Sequence, residues 1–167
     1  MANKFIIKLF SAIDYFDYIS CMEKNIKNIS KIFPVSTDKK VELPFYTEKL
    51  SAGFPSPAND YLEKSLDLNE YLIKNPSATF FVEIQGDSMI GAGIHSSDIL
   101  IVDRSLEAQH GKIVVAIIGG EFTVKRLSWI NNKFKLMPEN PGYKAIEIKE
   151  GMDFEIWGVA TTVIHRL

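Results

Sequence analysis

From Thr79 to its last residue, the chain carries short apolar runs with a period of two, each closed by a turn signal. A helix repeats about every 3.6 residues, so this part of the protein has to be built from strands. The runs are Thr79–Gln85, Asp98–Asp103, Lys112–Ile118, Glu121–Leu127, Lys133–Met137, Ala145–Lys149 and Phe154–His165. Gly86 ends the first of them. Gly119-Gly120 joins two others as a two-residue hairpin, in which both glycines can take the positive φ such turns demand. Asn131-Asn132 turns the chain once more. Short strands on short turns pair antiparallel, and the spacing predicts a compact, mostly antiparallel β domain of about eight strands.

Upstream the pattern changes. Leu9, Ile13, Phe16, Ile19, Met22, Ile26 and Ile29 follow at steps of three or four and describe one helical stripe. Ser11 with Asp14 resembles a capping box, with Asp in place of the usual Glu or Gln. The opposite face carries Glu23, Lys24, Lys27 and Lys31. Such a stripe packs on the body or on a second copy. A DNA-contacting or membrane-surface helix is the less supported reading, because the basic excess is small and no second helix follows at helix-turn-helix spacing. Pro34, Pro44, Pro55 and Pro57 then disfavour regular helix and predict an extended arm over 32–57. Apolar residues from Tyr61 to Leu72 predict a short helix or two helical turns within 58–74, stopping before Asn75-Pro76. The organisation expected is a helix and arm in 1–57 and a β-rich domain in 58–167.

Composition narrows the function. With 46% hydrophobic residues and a formal net charge of −2, the chain is globular and lacks the basic footprint of a nucleic-acid binder. Cys21 is the single cysteine, which excludes an internal disulfide and a cysteine metal cage and suits a reducing cytoplasm. Lys8, Asp14 and Asp17 interrupt the apolar start too early for a signal-peptide core. No apolar run approaches the roughly 18 residues of a membrane span. A soluble cytoplasmic protein is expected.

Few residues are placed for chemistry. Gly91-Ala92-Gly93 is too short for a dinucleotide loop. His95, His110 and His165 are scattered without ligand spacing, so neither metal nor cofactor is expected. Gly86-Asp87-Ser88-Met89 is more suggestive, since it sets a serine on a turn directly after a strand. That geometry exposes a hydroxyl and can aim successive backbone N–H groups at one point. An ordinary Gly-Asp-Ser turn is the plainer reading. A nucleophilic serine needs a base, and Lys125 is the candidate, on the same strand face as Thr123 and Leu127 and opposite Phe122 and Val124. Burial would make its amine neutral enough to accept a proton. Spacing alone favours a lysine on a solvated strand face.

Longer blocks add what spacing cannot. Gly86-Asp87-Ser88-Met89-Ile90, Ser97–Asp103, His110–Val114 and Gly120–Leu127 together resemble the LexA/UmuD family of self-cleaving serine peptidases. Gly53–Tyr61 and Asn75–Thr79 resemble its UmuD side, the translesion-synthesis accessory branch, and Phe154–Val159 and Ile164 continue the similarity. It covers about residues 41–167, and several ordered blocks are far more specific than one motif.

The resemblance implies a LexA/UmuD-like peptidase fold in which Ser88 is the nucleophile and Lys125 its general base. It implies cleavage of the arm at Ala52-Gly53, with the backbone N–H groups of Ser88 and Met89 as oxyanion donors. It further implies a homodimer of the SOS response, stimulated by RecA–single-stranded-DNA filaments, whose processed form serves a UmuC-type error-prone polymerase. No metal or cofactor is implied. About forty N-terminal residues match nothing on the UmuD side, and Ala52 stands where UmuD has cysteine, as in the Ala-Gly of LexA-like members. The alternative is a LexA-like DNA-binding repressor inactivated by the same cut. A signal-peptidase-like enzyme and a non-catalytic β module complete the readings, the latter requiring Lys125 to face water.

Overall fold

The structure of the chain, a computed structural model, describes residues 29–35, 40–46, 62–131 and 133–167. In chain order its strands are β1 (Ile29–Pro34), β2 (Glu42–Tyr46), β3 (Leu62–Asp67), β4 (Thr79–Ile84), β5 (Ile99–Asp103), β6 (Ile113–Ile118), β7 (Glu121–Ile130), β8 (Lys133–Met137), β9 (Ile146–Ile148) and β10 (Phe154–Ile164). One helix, α1 (Leu68–Leu72), follows β3. An eight-stranded sheet has the order β1-β4-β5-β10-β6-β7-β8-β9, and β2 pairs with β3 in a second sheet. Every one of these pairings is antiparallel. The seven runs read from the sequence coincide with β4 to β10. No helix among the described residues is long and apolar enough to cross a membrane.

β10 organises the sheet. Its first half pairs with β6 and its second half with β5, and Val159 has a partner on both sides, Val114 and Asp103. Register shifts at Ile156/Gly158 and Ala160/Thr162 mark the handover, where an irregular strand can bend. Gly158 lies in this bend because a Cβ there would come within 2.6 Å of Val102 Cγ1.

The unbroken apolar run of β6 has a consequence: both of its faces are buried. Val115 and Ile117 join Phe80, Val82, Leu100, Val102, Phe122, Val124 and Trp157 in one core cluster. Val114 and Ala116 join Leu127, Leu136 and Val159 in a second. The two faces of β7 divide in the same way, with Phe122 and Val124 on one cluster and Leu127 on the other. Trp157 anchors the first cluster, meeting Phe122 edge-on at 5.6 Å and Phe80 at 5.3 Å. The β6–β7 hairpin turns on Gly119 (φ 55°) and Gly120 (φ 82°), the left-handed pair that a two-residue turn requires.

Upstream of β4 the sequence reading needs correction at two places. Ile29, read as the last residue of a helical stripe, is fully buried and starts β1, pairing with Ile84. Among the described residues of 58–74, Leu68–Leu72 form the expected short helix, but Leu62–Asp67 form a strand against Glu42–Tyr46. Strand pairing supplies backbone hydrogen bonds and burial that a marginal one-turn helix cannot match. Asp67 ends the strand and caps the helix, its carboxylate accepting from the N–H groups of Asn69 and Glu70. The helical stripe from Leu9 and the Ala52-Gly53 bond lie outside the described residues.

Candidate active site

Ser88 reaches its position through a short chain of local constraints. β4 ends at Ile84, and Gly86 takes φ 100°, which lets the backbone turn sharply before Asp87 and Ser88. Met89 then opens a 3-10 turn over Ile90–Ala92 and buries its side chain to 2% exposure in the first core cluster. The serine is therefore held between an anchored strand and an anchored methionine.

A second segment braces the turn from outside. The Glu139 N–H donates to the Ser88 carbonyl at 2.9 Å, and the Gly91 N–H donates to the Glu139 carbonyl at 2.7 Å. Asn140 Nδ2 donates to the Asp87 carbonyl at 3.0 Å, and the Tyr143 hydroxyl donates to Asp87 Oδ1 at 2.5 Å. Accepting that bond, and adding its charge, the Asp87 carboxylate raises the Tyr143 phenol above its ordinary pKa. Arg126 in turn holds the Glu139 carboxylate at 2.5 Å. Glu139, Asn140 and Tyr143 escaped the sequence reading because no periodicity connects a loop to a turn some fifty residues earlier.

Gly91 carries a structural demand of its own. A Cβ at this position would lie 2.4 Å from the Glu139 carbonyl oxygen, which cannot move without breaking the brace. Gly91→Ala is expected to cost about 1–3 kcal/mol, the usual range for forced overpacking. Denaturant unfolding should show a lower midpoint at unchanged slope. A midpoint equal to wild type would mean that the brace yields freely.

Lys125 lies in the middle of β7, a strand with buried residues on both faces. Its side chain is 5% exposed, so the solvated strand face favoured by spacing alone is not where it sits. Nζ is 2.8 Å from Ser88 Oγ, 2.9 Å from Thr123 Oγ1 and 2.9 Å from the Val124 carbonyl oxygen. Thr123 lies two residues earlier on the same face, as strand alternation requires, and that spacing was the available signal for it. Burial disfavours the ammonium ion and lowers the Lys125 pKa from 10.5 to about 8.

These three partners suit a neutral amine. Such an amine has two N–H groups and one lone pair. The Thr123 hydroxyl and the Val124 carbonyl can accept the two N–H bonds. The lone pair is then left for the Ser88 hydroxyl, which donates to it. Chemically, the arrangement can withdraw a proton from Ser88 Oγ as that oxygen attacks an electrophile. Among the expected site residues, the fold thus brings together Ser88, Met89 and Lys125, while Ala52 and Gly53 lie outside the described residues.

The chain is similar in sequence to several known proteins. Protein SamA of Salmonella typhimurium strain LT2 is 48% identical over 123 residues, covering 74% of this chain and 85% of its own. Protein MucA of Escherichia coli is 48% identical over 132 residues, covering 78% of this chain and 90% of its own. The LexA repressor of Polaromonas sp. strain JS666 is 34% identical over 147 residues, which is 88% of this chain and 61% of the repressor. Residues 44–161, which contain β4 to β9, the Ser88 turn, Lys125 and most of β10, match the Peptidase S24-like family. With most of its length matched in this way, the chain belongs to the Peptidase S24-like family and is of the LexA/UmuD type.

Proposed function

We propose that this protein is a self-cleaving serine peptidase of the SOS DNA-damage response, which cuts its own arm between Ala52 and Gly53. The observation that carries the reading is the 2.8 Å approach of a buried Lys125 amine to Ser88 Oγ, with the amine pKa lowered to about 8. Membership in the Peptidase S24-like family supports the reaction class.

The 2.8 Å contact between Lys125 and Ser88 supports a two-stage acyl transfer. Lys125 Nζ takes the Ser88 proton while Oγ attacks the Ala52 carbonyl carbon. The N–H groups of Ser88 and Met89 stabilise the resulting oxyanion. The Lys125 ammonium then protonates the departing Gly53 nitrogen, leaving Ala52 as an ester on Ser88. Water, deprotonated by Lys125, hydrolyses the ester, and Ser88 recovers its proton. The substrate is tethered, so the reaction is effectively unimolecular and its rate follows how often the arm docks.

In this reading the protein acts in the cytoplasm as a homodimer. RecA–single-stranded-DNA filaments stimulate the cut, and the processed form serves a UmuC-type error-prone DNA polymerase. Similarity to MucA and SamA supports the mutagenesis branch. One observation favours a second reading, a DNA-binding repressor inactivated by the same cut. The similarity to the LexA repressor spans 147 residues and so extends upstream of residue 44. Promoter binding that weakens steeply with salt would select the repressor.

The products give the direct test. Full-length protein held at mildly alkaline pH is expected to yield residues 1–52 and a core that begins at Gly53, resolved by intact mass. A cut at any other bond would overturn the arm assignment.

A further inference from the structure

Two histidines that the sequence leaves seventy residues apart meet at one carboxylate. The register of β5 and β10 sets Ile164 opposite Ile99. His165, one residue beyond β10, therefore arrives beside Asp98, one residue before β5. His165 Nδ1 lies 2.7 Å from Asp98 Oδ1. From the loop that follows the Ser88 turn, the His95 backbone N–H donates to Asp98 Oδ2 at 2.7 Å, and this brings the His95 ring back toward the same carboxylate. His95 Nδ1 stands 3.7 Å from Asp98 Oδ2, and the two imidazole rings are 5.2 Å apart.

One detail of this cluster has no internal explanation. His95 Nδ1 is buried and has no hydrogen-bond partner. Buried polar atoms without partners are uncommon and call for a reason. At 3.7 Å the atom is too far from Asp98 for a hydrogen bond. It is close to the separation of two ligands on one ion, since atoms bound at about 2.0–2.1 Å to a tetrahedral centre lie about 3.3 Å from each other. One ligand atom from each of His95, Asp98 and His165 lies within 4.8 Å of the other two. Asp98 is only 3% exposed and fixed by its backbone bond, whereas the rings of His95 and His165 are 44% and 49% exposed. An ion can enter from solvent, and the exposed His165 ring can turn to meet it.

We infer that His95, Asp98 and His165 form a binding site for one late first-row divalent transition ion. Two imidazoles and one carboxylate suit zinc or nickel, while calcium and magnesium prefer all-oxygen sites. The ion takes the place of the proton that His165 and Asp98 share, gives His95 Nδ1 a partner, and leaves the remaining coordination positions to water. Bound there, it ties the loop after the Ser88 turn to the end of β10. The site is independent of the proposed peptidase chemistry.

Titration of the untagged full-length chain with Zn²⁺, and separately with Ni²⁺, tests the site by calorimetry and by the NMR signals of the three imidazoles. One equivalent is expected to bind, shifting the signals of His95 and His165 and leaving that of His110, which accepts a bond from the Trp129 N–H elsewhere on the fold. His165→Gln and His95→Gln are each expected to weaken binding by more than about tenfold, the effect that even outer partners of a metal site commonly have. His110→Gln should bind as wild type does. His165 is exposed and terminal, so its variant keeps the test valid even if His95→Gln folds poorly. Absence of stoichiometric binding, or binding undiminished in both variants, would overturn the site.

Discussion

Replacing Ser88 with alanine is expected to abolish self-cleavage, with a rate loss on the order of 10⁴–10⁶, as when other serine peptidases lose their nucleophile. Among the described residues, the other hydroxyl at the Lys125 amine cannot substitute. Thr123 Oγ1 lies 2.9 Å from the same amine but is buried in β7, where an arm cannot reach it. The substitution removes one oxygen and leaves the bond between the Glu139 N–H and the Ser88 carbonyl, as well as the buried Met89, in place. The variant should accordingly stay folded. Gel and mass analysis after prolonged alkaline incubation checks this, with thermal unfolding as the control for integrity. A folded Ser88→Ala protein that cuts at the wild-type rate would remove Ser88 from the reaction.

How much of this was legible beforehand differs along the chain. Downstream of Thr79 the strands could be read, because period-two runs ending in Gly-Gly or Asn-Asn are local signals. Upstream, Ile29 and Leu62–Asp67 were misread because their partners decide their state. The helical spacing at Ile29 was overridden by a place in the sheet beside Ile84. The apolar residues before Leu68 were overridden by pairing with Glu42–Tyr46. Of the site, Ser88 and Lys125 could be named from family blocks, and the side of the strand that Lys125 occupies followed from alternation. Its burial did not follow. The depth of a strand position depends on which strands flank it, and the order β10-β6-β7-β8 is not written in any local pattern. The meeting of His95 with His165 was hidden for the same reason, since it arises from the register of β5 on β10.

The charge of Lys125 governs the remaining large effect, and it acts on rate and on stability together. If the neutral amine is the base, self-cleavage without any activator should rise about tenfold per pH unit below its pKa and level off above about 8. Lys125→Ala removes the proton acceptor and should lower the rate by about 10²–10⁴ or more, the usual worth of a positioned base. Lys125→Arg should fail as well, because a guanidinium stays protonated throughout this range. The same buried ammonium opposes folding. A lysine with pKa about 8 in the folded state and 10.5 when free binds fewer protons folded than unfolded between those values. Its contribution to stability therefore improves as pH rises through that window and is at its worst below it. At about 1.4 kcal/mol per unit of pKa, the penalty near neutrality is of the order of 3 kcal/mol. Lys125→Met, apolar and of similar length, removes that penalty, although Thr123 and Val124 lose a partner. The variant should therefore gain stability relative to wild type at pH 7, with the advantage shrinking toward pH 10, while its self-cleavage is lost at every pH. Denaturant unfolding of both proteins across pH 6–10 measures the difference. A gap that stays constant across this range would mean that Lys125 is charged in the folded protein throughout, and an amine that never releases its proton cannot serve Ser88 as a base.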